Sequence, residues 1–188
     1  ARSGTYNEHF IILEIPGASA TDTIVFRPDT NNVLPVVITY NSATTQDDYV
    51  VLLNNADHVT FRNLTLAATG NSFAQAVVLS GNIINFRLIG NIVSSSNIAN
   101  NASVILSIDD ITKDILISGN TIAEGDYGIN LDGNNTTFST GTQIISNIFS
   151  SQNVRGIYLE DQDGPVVTGN TVTNSSSDEI PRRIQASP

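Results

Sequence analysis

The most regular feature of the chain is a short alternation of apolar and polar positions that recurs along most of its length. In Ile115–Ile117 and Ile129–Leu131 the apolar residues occupy every second position, which is the period of a β-strand. Gly, Asn, Ser and Asp separate these short runs and favour turns. No segment shows a sustained helical period. The pattern therefore predicts an all-β protein built from many short strands.

Two sequence blocks repeat with one shared period. In the first block an Asn stands two positions before an apolar residue, and in the second a Leu lies in a short apolar strand. Short strands with a repeat in the twenties are typical of a parallel β-solenoid, in which each coil pairs with the coils above and below it. We therefore predict about six to seven coils over residues 1–175 and a polar tail or linker over residues 176–188. The blocks are marked by Asn63, Asn91, Asn120, Asn147 and Asn170, spaced 23 to 29 residues apart, and by Leu53, Leu79, Leu106, Leu131 and Leu159, spaced 25 to 28 apart.

The repeated asparagines have a structural interpretation. A tight corner between two strands favours a residue that tolerates left-handed backbone angles and can form local hydrogen bonds through its side chain. If such a residue recurs in every coil, its copies stack about 4.8 Å apart and can bond to each other along the axis. We therefore predict that the five marked asparagines form a structural ladder and do not bind a ligand.

The quoted blocks also carry a family resemblance. The GN-x-I turns followed by GI-x-L strands resemble the right-handed parallel β-helix repeat of pectate-lyase-like proteins. The stretches Gly4–Pro28 and Asp48–Leu66 resemble large secreted β-helix surface proteins of Bacteroidetes-type bacteria. The resemblance implies a right-handed parallel β-helix at a bacterial cell surface or outside the cell. It does not select a function, because this fold includes lyases, hydrolases, adhesins and structural fibres.

Composition narrows the classes of function. The chain has 188 residues, with 8 Lys and Arg against 18 Asp and Glu, and its formal net charge of −10 argues against nucleic-acid binding. The absence of Cys excludes disulfides and thiolate metal sites. No apolar stretch is long enough to span a bilayer, so we expect no membrane insertion. Low charge with abundant Asn, Ser, Thr and Gly favours an extracellular protein.

The acidic residues supply one candidate site. Asp132 and Glu160 follow aligned Leu residues and are expected to occupy the same position of successive coils. Carboxylates stacked about 4.8 Å apart repel each other unless a cation or another partner lies between them. Asp132 and Glu160, with Asp161 and Asp163 as additional ligands, are therefore our candidate for a metal or glycan site. No resident cofactor is predicted, and Ca²⁺ is the ion that this site would hold.

Other catalytic candidates have structural interpretations. The pair Asp109–Asp110 could perform acid–base work, but a solvated turn with a local salt bridge fits better. Neither His9 nor His58 is flanked by Gly, as the polygalacturonase-like pattern requires. A lyase mechanism would need a basic residue near a calcium cluster, for which Arg87 and Arg155 are the internal candidates. Tyr127 and Tyr158 are weak markers of carbohydrate binding, since β-sheets favour Tyr in any case.

We therefore expect a non-catalytic extracellular structural or adhesive module that can serve as a subunit of a surface filament. Its expected partners are other copies of itself, joined end to end by backbone hydrogen bonds and apolar stacking between terminal coils. The alternative is a carbohydrate-active enzyme or glycan-binding domain that recognises polysaccharide through the Asp132 and Glu160 surface. A third reading is a stalk whose function lies in other domains.

Overall fold

A computed structural model describes residues 1–31, 34–42, 44, 46–71, 74–96, 102–108, 110–134 and 136–173. Every regular element in these ranges is a β-strand, and the strands form four sheets. Within the same ranges, no helix is long and apolar enough to cross a membrane. The predicted tail over residues 176–188 lies outside the described residues. The prediction of an all-β protein is confirmed.

The four sheets contain only parallel strand pairs. Sheet I consists of β1 (Gly4–Asn7), β4 (Val36–Tyr40), β7 (Thr65–Ala68), β11 (Ile92–Ser94), β15 (Thr121–Ala123), β19 (Ile148–Ser150) and β23 (Thr171–Thr173). Sheet II consists of β2 (Phe10–Leu13), β5 (Tyr49–Asn54), β8 (Gln75–Ser80), β12 (Ser103–Ser107), β16 (Tyr127–Asp132) and β20 (Arg155–Glu160). Sheet III consists of β3 (Ile24–Phe26), β6 (Val59–Arg62), β10 (Arg87–Ile89), β14 (Leu116–Ser118), β18 (Gln143–Ile145) and β22 (Val166–Thr168). Sheet IV consists of β9 (Ile83–Ile84), β13 (Thr112–Lys113), β17 (Ser139–Thr140) and β21 (Gln162–Asp163).

Consecutive strands along the chain belong to different sheets, and the order of the sheets repeats. Strands β1 to β7 pass through sheets I, II and III in turn, and from β8 onwards each repeat also includes a strand of sheet IV. The strands β16, β17, β18 and β19, for example, lie in sheets II, IV, III and I, and β20 to β23 repeat that order. We call such a run of strands a rung. Each strand pairs with the equivalent strands of the neighbouring rungs, an arrangement consistent with a β-solenoid.

The interior is filled by columns of apolar side chains that are aligned from rung to rung. In sheet III the register pairs Leu88 with Ile117 and Ile117 with Ile144, and all three side chains are fully buried. Sheet I aligns Ile122 with Phe149 in the same way. Because the apolar residues alternate with polar ones, each strand directs one set inward and the other set outward. This alternation produces a continuous core from three-residue strands.

The register corrects one part of the sequence alignment. Leu106 pairs with Val78 and Asn130 and is only partly buried, so it does not belong to the inward Leu column. Ser107 pairs with Leu131 instead and is 1% exposed. The alignment of leucines placed Leu106 one position out because the polar Ser at the core position hid the true phase of the strand.

Candidate functional site

Four of the five predicted ladder asparagines lie in one line at the corner before sheet I. Asn120 Nδ2 donates to Asn147 Oδ1 at 2.9 Å, and the backbone N–H of Asn120 donates to the same oxygen at 2.9 Å. Asn91 bonds in the same way to Asn120, and Asn147 to Asn170. Each amide also donates to a backbone carbonyl of the preceding rung, such as Leu88 O. These bonds occupy the side-chain amides within the protein.

Asn63 is not part of this line. The register pairs Thr65 with Ile92, so that Leu64, one position earlier, occupies the place of Asn91. The Leu64 N–H donates to Asn91 Oδ1 at 3.0 Å, and Leu64 itself has no amide to continue the line. Asn63 instead has a φ of 55°, at the left-handed corner position where the next rung has Gly90. The sequence alignment placed Asn63 in the ladder because both corner positions accept Asn.

Asp132 and Glu160 are paired in register on adjacent strands β16 and β20. The residues before them, Leu131 and Leu159, point into the core and are 0% and 6% exposed. Asp132 and Glu160 therefore lie on the outer face of sheet II. Both side chains are partly buried. The candidate site depends on these two carboxylates being neighbours, and the strand register makes them so.

Tyr158 connects this acidic pair to a basic residue. Its hydroxyl donates a hydrogen bond to Glu160 Oε2, and the Arg155 guanidinium lies 5.0 Å from the centre of its ring. The hydrogen bond to Glu160, followed by partial burial and the negative charges of Glu160 and Asp132, raises the pKa of Tyr158 to about 12. Tyr158 is therefore a neutral hydrogen-bond donor at physiological pH and not a base.

Tyr127 extends the same surface. It pairs in register with Arg155, and its ring meets the Tyr158 ring edge to face at a centroid distance of 6.1 Å. We call Tyr127, Asp132, Arg155, Tyr158 and Glu160 the outer patch. It offers aromatic, carboxylate and guanidinium groups on one partly exposed sheet face. The sequence contained a signal for part of this cluster, because Asp132, Tyr158 and Glu160 each stand one position from an inward Leu and are therefore expected to face outward. It contained no such signal for Tyr127 and Arg155, which lie four positions before those leucines.

Asp161 and Asp163 are placed differently. Asp161 follows β20 with a φ of 51°, at the turn out of sheet II, and its Oδ2 is buried without a hydrogen-bond partner. Asp163 lies on β21 of sheet IV, where it pairs with Thr140 and is exposed. Within the described ranges, no group of three or more His, Asp or Glu side chains is positioned to hold a metal ion. The structure thus brings together Asp132 and Glu160, but not all four acids.

The other catalytic candidates make local contacts. Asp110 Oδ1 accepts the backbone N–H of Gly81 at 2.8 Å, while Asp109 lies outside the described residues. Asn85 Nδ2 lies 2.9 Å from His58 Nδ1. Because an amide nitrogen can only donate, His58 Nδ1 accepts this hydrogen bond. Arg87 pairs with Thr60 and Leu116 within sheet III. These residues do not converge on a common point with the outer patch.

A second cluster of titratable residues was not predicted. The His9 ring stacks on the Tyr40 ring at 4.1 Å, and Tyr40 OH donates to Asp47 Oδ2 at 2.7 Å. Hydrogen bonds from Thr44, followed by the one from Tyr40, lower the pKa of Asp47 to about 2. His9 is far in sequence from Tyr40 and Asp47, which are seven residues apart, and no periodic signal connects the three residues. The bonds organise the loop between β4 and β5.

The last described rung, β20 to β23, forms the edge of all four sheets. Val167 of β22 pairs with Ile144, which is fully buried, yet Val167 is 40% exposed. Val172 of β23 pairs with the fully buried Phe149 and is partly exposed. Positions that form the core in every inner rung are therefore accessible at this edge.

Comparison of the chain with protein-family models, with curated proteins and with solved structures gives no match.

Proposed function

We propose that this protein is a non-catalytic structural module of an extracellular assembly, extended end to end by further β-helical rungs. In this proposal the chain is a right-handed parallel β-helix of about six to seven coils. The sequence repeat and the rung-by-rung strand pairing support the coil architecture. The resemblance to secreted β-helix surface proteins of Bacteroidetes-type bacteria, with the low charge and the Asn-rich composition, supports a bacterial surface location.

The observation that carries the proposal is the exposure of Val167 at the edge rung. Its equivalents Leu88, Ile117 and Ile144 are fully buried, because each is covered by the next rung. Covering Val167 with an apolar side chain removes its remaining exposed surface from water, which is favourable by about 25 cal/mol per Å² of apolar area. Within the described ranges no strand pairs with the outer edge of β20, β22 or β23, and their backbone groups can form the same parallel hydrogen bonds that join the inner rungs.

Size and shape of the purified chain test this proposal. If copies join each other end to end, the purified chain forms particles much larger than 20.1 kDa in size-exclusion chromatography and elongated particles in electron microscopy. Val167→Asp places a charge in the joint and should shift the particles towards monomers. Val154→Asp is the matched control, because Val154 is 42% exposed but lies outside the strands. Monomers at every concentration for the wild-type chain would exclude the joining of copies to each other, and equal effects of the two variants would contradict a joint at Val167.

The outer patch favours a second candidate function, glycan binding or processing. Its tyrosines, carboxylates and guanidinium provide the stacking and hydrogen-bonding groups that a sugar can use. Tyr158 and Glu160 already bond to each other, so binding is better supported than acid–base chemistry. Binding and turnover of acidic and neutral polysaccharides, with and without Ca²⁺, should fall on Asp132→Ala or Glu160→Ala. Asp163→Ala is the control, since Asp163 is an exposed carboxylate on another sheet, and an equal loss there would reject the outer patch.

A further inference from the structure

Among the residues that the structure describes, Asn170 in the edge rung is the last member of the asparagine ladder. Asn170 Oδ1 accepts both hydrogen bonds from Asn147, and Asn170 Nδ2 donates to Ile144 O at 2.8 Å. In the part of the chain that the structure describes, the backbone N–H of Asn170 and the second hydrogen of its Nδ2 have no acceptor. By analogy with Asn120, these two donors lie on the side where the next rung would pair.

The inner rungs show which acceptor these two N–H groups would bond to. At Asn120 the equivalent two donors both bond to a single oxygen, Asn147 Oδ1, at 2.9 Å. The same two bonds occur from Asn91 to Asn120 and from Asn147 to Asn170. If a further rung paired with the edge rung in the same register and had an Asn at the ladder position, the side-chain oxygen of that Asn would accept both donors of Asn170.

The apolar neighbours of the ladder complete this description. In each inner rung the Asn stands three positions after one core residue and two positions before another. Ile144, Asn147 and Phe149 show this spacing, and Val167 and Val172 stand at the same places around Asn170. An incoming rung must therefore carry the spacing apolar–x–x–Asn–x–apolar to cover all three positions at once.

The first rung of this chain does not have that spacing. In sheet I, Thr65 pairs with Val37 and Val37 with Thr5, so the ladder position falls on Val36 and then on Gly4. Gly4 has no side chain and supplies no oxygen above Asn170. A head-to-tail joint between two copies would bury both Asn170 donors without an acceptor, which is unfavourable.

We infer that the edge rung selects a rung of different sequence, with an Asn at the ladder position, over the first rung of another copy. This inference rests on the proposed end-to-end function and specifies its partner. The partner is a polypeptide with the spacing apolar–x–x–Asn–x–apolar that adds by parallel strand pairing, in the manner of β-augmentation. Its Asn oxygen accepts both Asn170 donors, and its two apolar residues cover Val167 and Val172.

Peptide binding to the full chain tests the inference. The probe is the capped, fluorescently labelled peptide GTQIISNIFS, which has the sequence of Gly141–Ser150 and contains one complete set of the three positions. The matched control peptide carries Ala in place of its Asn. A third peptide, with the sequence of residues 3–13, represents the first rung of another copy. Fluorescence anisotropy measures all three affinities for the wild-type chain and for Asn170→Asp, which keeps an oxygen for Asn147 and its backbone N–H but loses the Nδ2 donor.

The expected result is at least about tenfold tighter binding of the Asn peptide than of either other peptide, because the controls leave buried donors unsatisfied. On Asn170→Asp, and on Asn170→Ala as a second variant, the preference should become clearly smaller, because only the backbone N–H of the two donors remains, and circular dichroism should show that the fold is retained. Equal binding of the Asn and Ala peptides, or no binding, overturns the inference. Tight binding of the first-rung peptide overturns the choice of partner but supports end-to-end extension. Failure of every peptide together with purely monomeric protein rejects the proposed function itself.

Discussion

Replacing Asn120 by Ala should destabilise the protein strongly, because its side chain serves three rungs at once. Asn120 is 1% exposed. Its Oδ1 accepts the backbone N–H of Asn91 at 2.8 Å and Asn91 Nδ2 at 3.1 Å. Its Nδ2 donates to Leu88 O at 2.9 Å and to Asn147 Oδ1 at 2.9 Å. Truncation removes all four hydrogen bonds from a site that water cannot readily enter.

The magnitude follows from the groups that are left behind. Two donors of Asn91 lose their acceptor and Leu88 O loses a donor, whereas Asn147 Oδ1 keeps the bond from the backbone of residue 120. A buried donor or acceptor without a partner costs about 1–3 kcal/mol. Allowing for local relaxation, we expect the free energy of unfolding to fall by about 3–5 kcal/mol. Asn170→Ala should cost about 1 kcal/mol, because the edge position is only partly buried and water can replace the lost bonds.

Urea denaturation followed by far-UV circular dichroism measures these differences. Asn153→Ala is the control, because Asn153 is exposed and its side chain bonds to Asp126 at the surface. Its expected effect is below about 0.5 kcal/mol. The slope of the unfolding free energy against urea concentration must be the same for all variants, because a repeat protein that loses cooperativity no longer unfolds in a single step. If Asn120→Ala costs no more than Asn153→Ala, the ladder does not stabilise the fold and the argument is refuted.

Three further predictions concern single sites. Ser107→Ala should raise the free energy of unfolding by up to about 1 kcal/mol, because the buried Ser107 Oγ has no hydrogen-bond partner, and a loss in urea denaturation would contradict this. Gly128→Ala should lower it by about 1–3 kcal/mol, because the added Cβ would lie 2.5 Å from Gly156 O and 2.7 Å from the Phe149 ring, and a loss below about 0.5 kcal/mol would show that the strands separate easily. Asp47 has its pKa lowered from 3.8 to about 2, so its stabilising contribution is complete above about pH 4 and is lost as the pH falls towards 2. Asp47→Asn should therefore flatten the acid limb of the stability profile, and an NMR titration of Asp47 with an ordinary pKa would refute the assignment.

The repeat length of the fold could be predicted from the sequence, because apolar alternation and turn residues recur together. Short runs such as Ile115–Ile117 can bury one face only by pairing with equivalent runs, so the repeat predicts stacked parallel sheets. Which residues of each strand face the core was harder to predict. Ser107 occupies a core position, and the neighbouring Leu106 attracted the alignment although it faces outward. A hydrophobic pattern locates a strand, but a single polar core residue can displace its register by one position.

The same one-position ambiguity explains which parts of the candidate site could be predicted. Asp132 and Glu160 were placed correctly as neighbours because each follows a Leu that truly belongs to the inward column. Asp161 directly follows Glu160 in sequence, but a left-handed turn at that residue separates it from the strand, and backbone angles of this kind are not encoded by alternation. Asn63 and Asn91 differ in the same way, since one adopts the left-handed corner angle and the other forms the ladder. At a corner between two sheets, side-chain type alone therefore does not distinguish a residue that bends the chain from one that bonds the rungs, and the hydrogen-bond partners of each Asn decide between the two roles.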